Sequence, residues 1–168
     1  EILAGSDAGL LRSGNGGHTW ATIALSGIGA SPVFERIEVC HAPSDGAIAY
    51  VAASVAGKAR LWRRTTVGGH FAQEVVPAGM DTSQAWYDWH LNVTPHDANL
   101  VYWGAIDLFR GKRGSAGMAW SNISSRTEGD SIHPDQHFVG FDPNDPRVIY
   151  ACNDGGVFRS ADGGERWK

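Results

Sequence analysis

Three short segments concentrate the residues that could do chemistry. They are Phe34-Glu35-Arg36-Ile37-Glu38, Trp86-Tyr87-Asp88-Trp89-His90 and Pro134-Asp135-Gln136-His137-Phe138. Arg36, Asp88 and Gln136 each stand seven residues before a proline (Pro43, Pro95, Pro143), so they are equivalent, as are Glu35, Tyr87 and Asp135. Asp88 and Asp135 could form the carboxylate pair of glycoside hydrolysis, one protonating the leaving oxygen and one attacking or activating water. The competing reading, which the sequence favours, is that both carboxylates hold backbone N–H groups, because an unpaired buried N–H is costly. Trp86, Tyr87 and Trp89 offer aromatic faces for a sugar; packing between sheets accounts for Trp89 equally well. Glu35, Arg36, His90, Gln136 and His137 supply charges and hydrogen-bonding groups that could orient a ligand. His133, Asp135 and His137 read H-x-D-x-H, and alternate strand residues share a face. Two histidines and a carboxylate suit zinc or iron, but no fourth ligand is identifiable, so neither a metal nor another cofactor is expected. No phosphate-binding loop is present, and the 22 glycines mark turns.

The elements that would position these residues come from a repeat. Residues 4–20, AGSDAGLLRSGNGGHTW, match 151–167, ACNDGGVFRSADGGERW, without a gap at Ala4/Ala151, Asp7/Asp154, Gly9/Gly156, Arg12/Arg159, Ser13/Ser160, Gly16/Gly163, Gly17/Gly164 and Trp20/Trp167. The offset of 147 residues is filled by worn copies. An apolar pair followed by Arg recurs at Arg12, Arg63, Arg110 and Arg159. An aromatic follows each, at Trp20, Phe71, Trp120 and Trp167, spaced by 51, 49 and 47 residues. A second marker, Pro then Tyr seven residues on, recurs at Pro43/Tyr50, Pro95/Tyr102 and Pro143/Tyr150.

A period near 49 with short strands predicts an all-β chain, a β-propeller of four-stranded antiparallel blades. First strands are predicted at 37–42, 89–94 and 137–142, second strands at 48–52, 100–104 and 148–152. The Arg triplets make third strands, and fourth strands start at the aromatics. No stretch carries the helical period. The blades are predicted at 1–30, 31–82, 83–130 and 131–168. On this phase the chain opens in a second strand and stops before a fourth. About three and a half blades are expected, with the remaining blades supplied by flanking sequence or another chain.

In a propeller the connections entering first strands open on one face, and turns between third and fourth strands lie on the other. Function is therefore sought at Glu35–Arg36, Tyr87–His90 and 133–137. The S-x-D/N-x-G-x-x-W boxes (Ser13, Asn15, Gly17, Trp20; Ser160, Asp162, Gly164, Trp167) read as turn staples, with Asn or Asp accepting backbone bonds and Gly supplying positive φ. The net charge of −4 and the absence of a basic aromatic patch exclude nucleic acid as an expected partner. No apolar run is long enough to span a membrane. Cys40 and Cys152 fall two blades apart, so no disulfide is expected.

With its boxes, Gln84-Ala85-Trp86-Tyr87-Asp88-Trp89, and the run H-P-D-Q-H…D-P-N-D-P…N-D-G-G-V-F-R-S over 133–160, the chain resembles the Asp-box (bacterial neuraminidase repeat) propellers, sialidase-like and sortilin-like. The resemblance implies a secreted or periplasmic propeller, and a superfamily that holds both glycoside hydrolases and peptide-binding receptors. The arginine motif of sialidases is broken at Phe34-Glu35-Arg36-Ile37-Glu38 by an extra Glu and a missing Pro, so that role does not pass to Arg36. The expectation is a non-catalytic segment that recognises glycan, peptide or protein at the inner-strand face. The alternative is part of a glycoside hydrolase using Asp88 and Asp135.

Overall fold

The computed structural model describes residues 1–124 and 131–168; the predicted end of the third blade at 130 falls outside them. Fourteen strands and no helix are found among the described residues. They build four antiparallel sheets, the successive blades of a β-propeller. Sheet one is β1 (Ile2–Ser6), β2 (Gly9–Ser13) and β3 (Ala21–Ile23). Sheet two is β4 (Phe34–Ala42), β5 (Asp45–Val55), β6 (Lys58–Arg64) and β7 (Ala72–Glu74). Sheet three is β8 (His90–Val93), β9 (Leu100–Gly104), β10 (Leu108–Gly114) and β11 (Gly117–Asn122). Sheet four is β12 (Gln136–Phe141), β13 (Ile149–Asn153) and β14 (Gly156–Ser160). The first strands β4, β8 and β12 neighbour one another, and β1 lies against β4.

Among the boundaries that differ from the sequence reading, β5 runs Asp45–Val55 rather than 48–52, and two more have visible reasons. β4 begins at Phe34 rather than 37, because β5 runs long enough to pair Phe34 with Val55. Trp120 sits inside β11 rather than at its start. Sheet three replaces the glycine box with a tight hairpin pairing Gly114 with Gly117, so the fourth strand pairs at once.

The cores lie between sheets, not within them. Leu10, Val51, Trp62 and Phe71 pack between sheets one and two. Tyr50, Leu61, Trp89, Leu91 and Trp103 fill the space between two and three. Tyr102, Leu108, Ile123, Val139, Ile149 and Trp167 fill that between three and four. Fully burying each large side chain contributes roughly 1.5–3 kcal/mol.

The sequence markers are the polar links between these layers. Tyr50 stands opposite Arg63, and Tyr102 opposite Arg110, across the second and third strands. That cross-strand pairing is why both markers keep one period. Each pair reaches into the following sheet. The Tyr50 hydroxyl donates to Ala98 O at 2.9 Å and Arg63 Nη2 to Asn99 Oδ1 at 3.1 Å. Arg110 Nη1 donates to Gly163 O at 2.8 Å, and Arg12 Nη1 to Gly68 O at 3.2 Å. Tryptophans reach the other way, to a carbonyl just past the preceding fourth strand. Trp62 Nε1 donates to Ser26 O, Trp120 Nε1 to Val75 O and Trp167 Nε1 to Ile123 O, at 2.8, 2.7 and 2.8 Å.

The two boxes close the same turn. Ser13 Oγ accepts from Gly17 N at 2.9 Å, and Ser160 Oγ from Gly164 N at 2.8 Å. Asn15 Oδ1 accepts from Thr19 N and Asp162 Oδ1 from Arg166 N, both at 2.9 Å. Gly16 and Gly163 share a φ of 73°. Trp167 is 5% exposed against Ile123, whereas Trp20, in the first sheet, bonds Gly17 O and stays 43% exposed. Cys40 and Cys152 are free thiols.

Sheets also need small residues where they nearly touch. A Cβ on Gly104 would lie 2.6 Å from the Gln136 Cβ of the next sheet. Gly104→Ala is therefore expected to force β9 and β12 apart and cost about 1–3 kcal/mol. Thermal denaturation should show a clear fall in melting temperature, while Gly114→Ala, which meets open space, should leave it nearly unchanged.

Candidate functional site

Strand alternation puts the connections entering first strands, and the turns between second and third strands, at one end of the sheets. The boxes occupy the opposite end. At the first end, the candidate residues separate into two groups.

The smaller group lies between sheets one and two. Glu35 and Arg36 line a cavity of about 370 Å³ with Gly5, Ser6, Asp7 and Glu38. Glu35 is already engaged. Its carboxylate accepts from Gly57 N at 3.0 Å and from the Ser54 hydroxyl, pinning the β5–β6 turn to the start of β4. Arg36 is exposed, and its charge lowers the pKa of Glu38, although burial raises that carboxyl further.

The larger group lies where sheets three and four meet. A tight turn enters β8, with Tyr87 N and Asp88 N both donating to Gln84 O at 2.7 and 3.1 Å. It buries Ala85 and turns Trp86 outward, 71% exposed, with Tyr87 43% exposed beside it. The two rings stand 5.5 Å apart at 42°. Tyr87 meets the His137 ring edge-on at 4.9 Å. Both donate to one oxygen: the Tyr87 hydroxyl to Asp154 Oδ1 at 2.8 Å and His137 Nε2 to the same atom at 2.7 Å. These bonds hold Asp154 below the usual carboxylate range, the His137 bond first, and the Asp154 bond raises the Tyr87 hydroxyl.

Asp88 sits beneath this surface, 1% exposed, with the Asp135 carboxyl as its side-chain neighbour. Burial and then the neighbouring Asp135 carboxyl push its pKa up to about 7. Of the backbone N–H groups the sequence reading assigned to it, its own is the one that acts on its pKa, and lowers it. Asp135 takes a left-handed backbone, φ 64°, while its N–H donates to Ile106 O at 3.0 Å and Gln136 N–H to Ala105 O at 2.8 Å. The segment is thereby tied across to the β9–β10 turn of sheet three.

That backbone kink corrects the metal reading. Alternation holds only in extended chain, and β12 starts at Gln136, so His133, Asp135 and His137 do not share a strand face. Among the described residues no three His, Cys, Asp or Glu side chains are grouped to hold a metal ion. Two other candidates lie below the surface rather than on it. Gln136 is buried, its amide donating to His133 O at 2.6 Å and accepting from Asn153 Nδ2 at 3.3 Å. His90 is buried against Phe138, rings 5.0 Å apart, and burial lowers its pKa to about 4, so it is neutral.

Sequence reasoning missed Asp154 and the exposed Phe138. Asp154 had left a signal: it matches Asp7 in the long repeat, outside the box that explains the other matches. Both aspartates stand at the same turn, one in each group.

No protein-family model and no curated protein matches the chain. Among solved structures, it superposes on an ancestral GH74 enzyme at TM-score 0.65 and 19% identity, over 98% of this chain and 22% of that one. A GH74 xyloglucanase from Xanthomonas campestris is matched at TM-score 0.41 and 14% identity, over 89% of this chain and 30% of that one. The chain thus spans about a fifth of the length of the first of these. The first likeness is one of fold, that of a β-propeller; the second carries no argument.

Asp88 gives the site a pH signature. Its pKa rises from 3.8 to about 7 on folding, so between those values the folded chain holds more protons than the unfolded. Stability should fall as pH rises through that window and level off above it. Asp88→Asn, neutral throughout, should flatten this dependence and melt above the parent chain on the alkaline side. Melting curves at a series of pH values check the slope.

Proposed function

We propose that the junction of sheets three and four is a glycan-binding surface, and that the chain recognises its ligand there without cleaving it. The observation that carries this is the exposed Trp86–Tyr87 pair beside the Asp154 and His137 side chains. An aromatic face takes the apolar side of a sugar ring, and adjacent acceptors and donors take its hydroxyls. The bond pattern orients Tyr87 in advance, which reduces what binding must order. The propeller fold shared with a GH74 enzyme is in keeping with this reading by analogy. So is the resemblance of the boxes and the 133–160 run to the secreted Asp-box propellers.

One observation favours the hydrolase alternative. A carboxyl with a pKa near 7 is a suitable proton donor, and Asp88 has one, with Asp135 beside it. Against it stands the burial of Asp88, whose oxygens a glycosidic bond could not reach without movement of the turn above.

Calorimetric titration with β-glucan and xyloglucan oligosaccharides and with sialosides tests both readings. Binding is expected for at least one of the β-linked glycans, weakened about tenfold or more by Trp86→Ala, without release of reducing sugar. Cleavage that disappears in both Asp88→Asn and Asp135→Asn would establish the hydrolase instead. An absence of binding to every glycan would refute the recognition reading.

A further inference from the structure

Sheets one and four each present a face that no other sheet covers among the described residues. On sheet four, Tyr150 stands opposite Arg159, as Tyr50 stands opposite Arg63 and Tyr102 opposite Arg110. The earlier pairs bond into a following sheet. Tyr150 and Arg159 meet no following sheet among the described residues. Val157 shares the face of Arg159 by alternation. Its counterpart in the triplet of sheet three, Leu108, is fully buried, whereas Val157 is 68% exposed. Exposed apolar side chains with polar neighbours mark surfaces that meet a partner.

Sheet one carries the other half of the contact. At the 147-residue offset, Ile2, Ala4, Gly16 and Trp20 correspond to Ile149, Ala151, Gly163 and Trp167. In sheet four these residues receive sheet three. Ile149, Ala151 and Trp167 lie in the core between the two sheets. Gly163 O accepts from Arg110 Nη1 at 2.8 Å and from the Tyr102 hydroxyl at 3.4 Å. In sheet one the same positions are open. Ile2 is 42% exposed, Gly16 is exposed, and Trp20 turns back to its own Gly17 O. The strand register puts Ile2 and Ala4 on the face away from Leu10 and Arg12, the residues that meet sheet two. One chain thus holds both halves of a contact that it already makes between its own sheets three and four.

We propose that sheet four of one copy of this chain docks onto sheet one of a second copy, repeating the contact of sheet three with sheet four. Val157 packs against Ile2 and Ala4, and Arg159 and the Tyr150 hydroxyl donate to Gly16 O. The contact is head-to-tail, so it leaves open faces unless a ring closes. Two copies of four sheets close such a ring within the four to eight blades that propellers hold. The association is independent of what the Trp86–Tyr87 pair binds.

Light scattering behind size exclusion is expected to give twice the mass of one chain. Ile2→Asp and Val157→Asp each change an exposed side chain, so each variant should keep the circular dichroism of the parent and run as a single copy. Mixed together the two should associate, because the first keeps an intact sheet four and the second an intact sheet one. Arg159→Ala, which removes a charged donor, should weaken the pair about tenfold or more. A single-copy mass for the parent at every concentration overturns the proposal. So does a pair that only one of the two Asp substitutions breaks, because each face would then be meeting its own kind. Masses that keep climbing with concentration overturn the closed pair, since a head-to-tail contact that fails to close makes filaments.

Discussion

Each sheet of this chain is too thin to shelter its own side chains, so the structure depends on how tightly one sheet can be fastened to the next. Apolar burial supplies the adhesion, but it is non-directional. Angle and spacing are set by polar links, with tyrosine and arginine donors at matching places in sheets two and three and tryptophan donors on different strands. Tyrosine and arginine, opposite each other in the second and third strands, reach forward. Tryptophan reaches back to the end of the preceding fourth strand. Because a layer is held from both sides, stability accrues through neighbours, as in other repeat architectures.

The proposed binding surface is a product of the same fastening. Asp135 and Gln136 bond back to Ala105 and Ile106 of the preceding sheet, and Tyr87 of that sheet bonds forward to Asp154. The seam between sheets three and four is thus crossed in both directions at the end where the aromatic pair emerges. The polar groups at that end divide by depth. Gln136 and His90 lie in the packed layer, while Tyr87, His137 and Asp154 are fixed on its surface. Asp88 sits between these levels, its charge set by burial and then by the Asp135 carboxyl, as burial sets that of His90.

Much of this was written in the chain. The period and the strands follow from two markers whose spacing is local to one unit. The aromatic pair, Asp88 and Asp135 were legible as residue types in the segments that enter the first strands. What was not legible depends on contacts between units. Tyr87 and Asp154 are 67 residues apart, and nothing in their spacing says that one turn leans toward the other. The left-handed backbone of Asp135 breaks the alternation on which the H-x-D-x-H reading rested. Gln136 and Asp88 occupy corresponding places in their segments, yet the Gln136 amide is bonded at both ends while the Asp88 carboxyl faces another carboxyl, that of Asp135. Equivalence in a repeat fixes position, not occupation.

Sheet three does without the glycine box, closing its outer hairpin with a short turn, and its opposite end still carries Trp86, Tyr87 and Asp88. The two ends of a blade can therefore diverge separately. Drift in the box end alters how a turn is closed while leaving the chemistry across the sheet untouched. The boxes are thus a ledger of architecture, and proteins alike in their boxes are free to differ in everything they bind.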